Sequence, residues 1–266
     1  MRFTTTLRSE FLKIKRTSVF YLILVAAFVV PFVLVFDHDL PPPNIQANGW
    51  DHYYLDGFKV FAFVFLPFFH ILASTLLLQI EVRNNAWKQV LASPQSYLHI
   101  LLSKFMVLQL LAIAFLALFN VYMVLGCGVI DTIYGMDYLG YLRRWPELVT
   151  INLMAWGSTL GISGLSFWLA LRYKNFIAPI AVGILLWLIG PTAALELKWP
   201  HFDKYVFVLP FTIAVEKFEG HRQFYQFLSL GYGALFFAMA YIEFTYQRMR
   251  IKPWFKAKRV TLTANL

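Results

Sequence analysis

Few residues in this chain are able to do acid, base or metal chemistry, and they do not gather. His38, His52, His70, His99, His201 and His221 are scattered along the sequence. There is no His-Glu-x-x-His pair, no Cys-x-x-Cys, no Gly-x-Ser-x-Gly elbow, and no glycine-rich loop closed by Lys-Ser/Thr to cradle a nucleotide phosphate. Only His70 falls deep in an apolar run, where a lone imidazole packs against a neighbouring helix more often than it ligates a metal. Carboxylates avoid the middle of every apolar run; Glu81 and Glu243 stand at run ends. A proton- or sodium-coupled carrier keeps a carboxylate near mid-membrane despite a cost of about 3 kcal/mol. The pattern therefore points away from an enzyme and from ion coupling. If the chain moves a substrate uphill, the energy would come from another subunit.

The stretch with most to offer a partner is Glu81–Lys104, a polar interruption between two apolar runs. A helix over Val82–Ser93 gathers Val82, Ala86, Trp87, Val90 and Leu91 on one side. Glu81, Asn84, Asn85 and Lys88 take the other, with Arg83 lodged in the apolar arc. Pro94 ends that helix and turns the chain back. A short amphipathic helix lying at a membrane face is something another protein can push on.

The elements that carry this stretch are set by composition. The chain has 266 residues, of which 59% are hydrophobic and 18% aromatic, too apolar for a water-soluble domain. We expect one all-α, polytopic membrane domain over residues 1–266, with spans at 18–36, 58–79, 97–129, 148–171, 176–195 and 224–244. The run from Tyr97 to Val129 would reach about 50 Å as a helix, so its first turns should leave the hydrocarbon beside the amphipathic loop. Residues 1–17 read as an interfacial helix, with Phe3, Leu7, Phe11 and Ile14 on one face and Arg8, Lys13, Lys15 and Arg16 around the rest. A cleaved signal peptide does not fit, because Pro31 lies inside a long run and no small-x-small site follows it. The single Cys127 forbids an intrachain disulfide.

Charge orients the bundle. Lys and Arg number 5 in residues 1–17, 3 in 80–104, 2 in 172–175 and 6 in the tail 248–266, which is 16 of the 23. Six spans put all four segments on one side, and the positive-inside rule makes that side cytoplasmic, both termini included. Juxtamembrane basic residues facing anionic lipid account for the net charge of +9, and nucleic acid is set aside as a partner.

Three further features bear on movement. Gly157, Gly161 and Gly164 form a small-residue stripe that lets another helix approach, within the chain or in a second copy. Pro67, Pro179 and the pair Gly190-Pro191 are candidate kinks. Tyr205–Val215, split by Pro210, is apolar but too short to span. It should dip into the outer side or lie across it, and Val208, Pro210 and Phe211 are candidate outer-gate residues.

The layout resembles the permease subunit of ABC-2-type transporters, in particular the lantibiotic-protection-like branch. Ser9, Glu10, Lys13, Lys15, Arg16 and Thr17 match that branch's pattern between the N-terminal helix and the first span. Glu81, Asn85, Trp87, Lys88, Pro94 and Lys104 match its coupling helix between spans two and three. The resemblance implies a bacterial inner-membrane exporter, in which two permease subunits, identical or different, carry cytoplasmic ATP-binding subunits docked on the coupling helices. It implies a re-entrant stretch between spans five and six, which fits Tyr205–Val215. ATP and Mg would sit on the partner, and this chain would bind no cofactor or metal and catalyse nothing. A hydrophobic or amphipathic peptide, lipid or drug would be the substrate. The competing classes are a secondary carrier or channel and a non-catalytic membrane assembly factor.

Overall fold

The structure is a computed structural model that describes residues 3–14, 17–36, 49–83, 96–135, 145–173 and 175–263. The described residues form helices and turns, with no strand among them. In order they are α1 (Phe3–Ile14), α2 (Val19–Val35), α3 (Gly49–Val60), a π-turn (Phe61–Phe65), α4 (Leu66–Arg83), α5 (Tyr97–Tyr134), α6 (Trp145–Ser158), α7 (Leu160–Arg172), α8 (Ile177–Leu195), the short α9 (Leu209–Ala214) and α10 (Arg222–Thr263). Turns of 3-10 type at Phe202–Lys204 and Glu216–His221 flank α9.

Five stretches are long and apolar enough to cross a membrane: Tyr53–Ile80, Tyr97–Tyr134, Pro146–Arg172, Ile177–Leu195 and Glu216–Tyr246. The 17-residue α2, about 26 Å long, makes a sixth when taken with α1, from which it is bent by 67°. Large apolar side chains such as Val25, Phe32 and Val33 on α2 and Val121, Leu125 and Ile133 on α5 face outward. Lipid rather than water is the solvent that tolerates such a surface.

The centre is an aromatic seam between α3–α4 and α5. Phe61 stacks on Phe119 at 3.9 Å and Phe69 on Phe115 at 4.4 Å. Helix α2 lies along the other side of α5, with Phe28 edge-on to Tyr122 at 5.4 Å. Helix α7 packs against α10 and α4, and α8 closes the far side of α4.

Three expected boundaries move. The second span does not begin at Phe58, because helix extends back to Gly49. Tyr53, Tyr54 and Phe58 form a buried stripe there, and the charges that disguised it, Asp56 and Lys59, pair at 2.7 Å. The third helix runs to Tyr134 and stops where Gly135 takes a left-handed turn at φ 66°. The tail from residue 248 continues α10 as helix to Thr263, over a stretch with no glycine to stop it. The fourth span is a broken one, α6 and α7 meeting at Thr159.

Candidate functional site

At the end of the bundle that carries α1, the two sequence patterns of interest meet through one carboxylate. Glu10 sits on the inward stripe of α1 with Thr6 and Ile14, all buried. Its Oε2 accepts from Lys104 Nζ at 2.7 Å, and its Oε1 accepts from Lys13, one turn along α1. The Lys104 side chain is 1% exposed and that of Glu10 7%. Burial pushes the Glu10 carboxyl up, but the two lysines outweigh burial and hold it below its ordinary value. The first turns of α5 are therefore covered by α1 instead of standing free. The cap of α5 is Ser96, whose hydroxyl accepts from the His99 amide.

This arrangement corrects the expected face of α1. Ile14 is buried and Leu7 half-buried, but Phe11 and Leu12 are 46% and 60% exposed and point away from the protein. The inward stripe carries a charge because Lys104 neutralises it, and two apolar residues go to the lipid instead. Asn85, Trp87, Lys88 and Pro94 lie outside the described residues, as do Lys15 and Arg16. Glu81 and Arg83 are on the last turn of α4, and Phe3 opens α1; their side chains are outside the description.

At the opposite end, Tyr205–Val215 enters the protein. Val206, Phe207, Val208, Leu209, Pro210, Ile213 and Ala214 are all buried, while Lys204 and Glu216 on either side are exposed. The Tyr205 hydroxyl donates to the Leu186 carbonyl at 2.8 Å, and Phe211 lies 5.2 Å from Phe63. A Cβ at Gly190 would lie 3.0 Å from Val208 Cγ2, so that glycine admits the segment. Val208 is a core residue at 1% exposed, and Phe211 is the half-buried one of the expected gate residues.

Two backbone irregularities in the spans are met by side chains from other helices. The π-turn sends the Leu66 amide to the Phe61 carbonyl, and Pro67 has no N–H to offer. The Phe63 carbonyl between them accepts from the Trp187 indole of α8 at 2.8 Å. At the α6–α7 break, the Ser229 hydroxyl accepts from the Gly161 amide at 3.0 Å and donates to the Ser158 carbonyl at 2.8 Å. In lipid such repairs are obligatory. Beside this break the glycine stripe is used within the chain: a Cβ at Gly164 would lie 3.0 Å from the Gly233 carbonyl oxygen, and one at Gly161 would meet Tyr232 Cβ at 3.0 Å. Gly157 is looser: a Cβ there would lie 3.7 Å from Gln226 Nε2.

Two cavities flank α6. One, of about 540 Å3, is lined by Tyr54, Glu147, Thr150, Glu216, Glu219 and Arg222. The other, of about 500 Å3, is an apolar groove between α5 and α6 lined by Leu116, Val124, Leu153 and Trp156. Between them stands a closed polar triad. The Tyr54 hydroxyl donates to Asn120 Oδ1 at 2.9 Å, Asn120 Nδ2 to Asn152 Oδ1 at 2.8 Å, and Asn152 Nδ2 to the Tyr54 hydroxyl at 2.8 Å. Nothing in the sequence marks Tyr54, Asn120, Asn152, Ser229 or Trp187 for these roles. No periodic signal marks them, since each partner lies more than 30 residues away. No group of metal-binding side chains occurs among the described residues, and His70 is buried with Nδ1 against the Leu66 carbonyl at 2.7 Å.

The family model described as ABC-2 family transporter protein matches residues 6–190. The chain belongs to the ABC-2 transporter family. Comparison with curated proteins and with solved structures finds no match. The matched range of this ABC-2 family protein takes in most of α1, the Glu10–Lys104 pair, the residues between α4 and α5, and the prolines Pro31, Pro67 and Pro179. It is thus a multi-pass membrane component of ABC transport.

Proposed function

We propose that this chain is the permease subunit of an ATP-driven exporter in a bacterial inner membrane, of the lantibiotic-protection-like branch. It works as a homo- or heterodimer with cytoplasmic ATP-binding subunits, and both its termini are cytoplasmic. The observation that carries the reading is the ABC-2 family match over residues 6–190. Val82–Ser93 is the docking helix, with Trp87 and Lys88 its principal contacts. Closure of the ATP-binding subunits pushes that helix, α5 carries the displacement, and the cavity between two permeases changes its opening. The substrate is hydrophobic or amphipathic; a groove lined by apolar residues beside a cavity bearing Glu147, Glu216 and Glu219 supports that class. Tyr205–Val215 caps the exit, a role that its burial beside α8 and α6 supports.

The test is purification of the tagged chain from its own cells in mild detergent. An ATP-binding protein should co-purify and hydrolyse ATP, and Trp87→Ala with Lys88→Ala should loosen it while the permease stays monodisperse. A permease that purifies without any ATPase, in vesicles whose transport follows an ion gradient and ignores ATP, overturns the reading in favour of a secondary carrier.

A further inference from the structure

The ion pair at the α1 end does something the docking loop alone does not. Helix α1 and helix α5 are separated by more than 80 residues of chain, yet Glu10 and Lys104 join them inside the protein at 2.7 Å. Lys104 lies seven residues beyond Tyr97, about 10 Å along α5 from its start. Any axial displacement of α5 carries the Lys104 ammonium with it. Glu10 is held by a second cation on its own helix, Lys13, so the carboxylate is fixed to α1 on one oxygen and to α5 on the other. Helix α1 leads at once, through a turn in which the Thr17 amide and hydroxyl both donate to the Ile14 carbonyl, into α2. Only four residues of chain lie between Ile14 and Val19, so α1 and α2 stay tethered to each other.

A hydrogen-bonded pair this buried is poorly replaced by water during a sliding motion, because separation would leave two charges desolvated. It favours movement of both helices together over movement of one past the other. We propose that Glu10 is a positioning residue that yokes α1, and through it α2, to α5, so that a push received at the start of the third span moves the first span with it. The proposal rests on the exporter reading for the source of the push; the yoke itself is a property of this chain.

The experiment measures distance by spin labels at two exposed positions, Leu12→Cys on α1 and Leu98→Cys on α5, in a Cys127→Ala background. In the purified permease the wild-type pair should give one narrow distance. Glu10→Gln and Lys104→Met should each broaden it or add a longer one, and the full reversal Glu10→Lys with Lys13→Glu and Lys104→Glu should restore it. In the complex trapped with ATP and vanadate, the wild-type distance should stay as it was while Glu10→Gln lengthens it. A Glu10→Gln distribution superimposable on wild type in both states overturns the yoke, whatever the partner does. So does a charge reversal no better than the single variants, which would mean mere packing. Absence of any trapped nucleotide fails the exporter reading instead, and leaves the measurement on the free permease to decide the yoke.

Discussion

Glu10 has the environment in which one side chain changes the behaviour of two helices. Its carboxyl is held below the ordinary carboxylate value of 4.5, burial opposing and the lysines prevailing. A carboxylate depressed in the folded state contributes stability that is present above the unfolded value and is lost as pH falls through the folded one. Wild-type protein in detergent should therefore lose Tm more steeply than Glu10→Gln as pH is lowered from about 5 through and below 4.5, and the difference between the two curves isolates this group. At pH 7 Glu10→Gln should be destabilised by about 3 kcal/mol, the usual cost of breaking a buried ion pair by removing one member. Equal pH slopes in the two proteins would place Glu10 outside the buried pair.

At the scale of elements, the decisive feature is that the spans are irregular and repaired by each other. Trp187→Phe removes the donor that meets the Phe63 carbonyl, and should cost about 1–3 kcal/mol. The cost should be smaller in a Pro67→Ala background, where residue 67 regains an amide; a full-sized loss there would mean that the indole acts only by packing. The α6–α7 break gives a contrast between two glycines of one stripe. Gly164→Ala drives a methyl against the Gly233 backbone and should lower Tm by several degrees, whereas Gly157→Ala should be nearly silent. Thermal unfolding of both, read by tryptophan fluorescence in the same detergent, checks the order. Val208, fully enclosed beside Gly190, is a poor place to probe a gate because a charge there unfolds the segment; Phe211→Ala leaves the core and alters the half-buried wall.

For the whole molecule, the question is which end faces the cytoplasm. By sequence, 16 of the 23 basic residues fall in the four segments that six spans would put on one side. A reporter active only in the cytoplasm should work when fused after Leu266, and one inserted between Pro41 and Gly49 should be silent. The reverse pattern would invert the bundle and put the Glu10–Lys104 pair outside, beyond reach of any cytoplasmic ATP-binding subunit. The two cavities on either side of α6 belong to this scale too, since the Tyr54–Asn120–Asn152 triad that separates them draws one residue from each of three spans.

The sequence by itself determined the class, the number and approximate place of the apolar runs, and the asymmetry of charge. Those follow from single-residue transfer energies summed over a window, and no partner is needed to evaluate them. The helices before Phe58 and after Val129 were hidden for the same reason: Asp56, Lys59 and Asp131 lower a window average although the backbone goes on as helix. Pairing was not legible at all. Glu10 and Lys104 each stood in a noted pattern, yet nothing local says that a carboxylate on an amphipathic helix turns inward, since by hydropathy it belongs in water. Only a cation 94 residues away reverses that preference, by making burial less costly than separation. Ser229, Trp187 and Asn152 were invisible likewise. Each is needed because a break or a proline elsewhere leaves a backbone group without its helical partner, or because a polar side chain on a neighbouring span lacks one, and that need exists only once the helices are packed with no water between them.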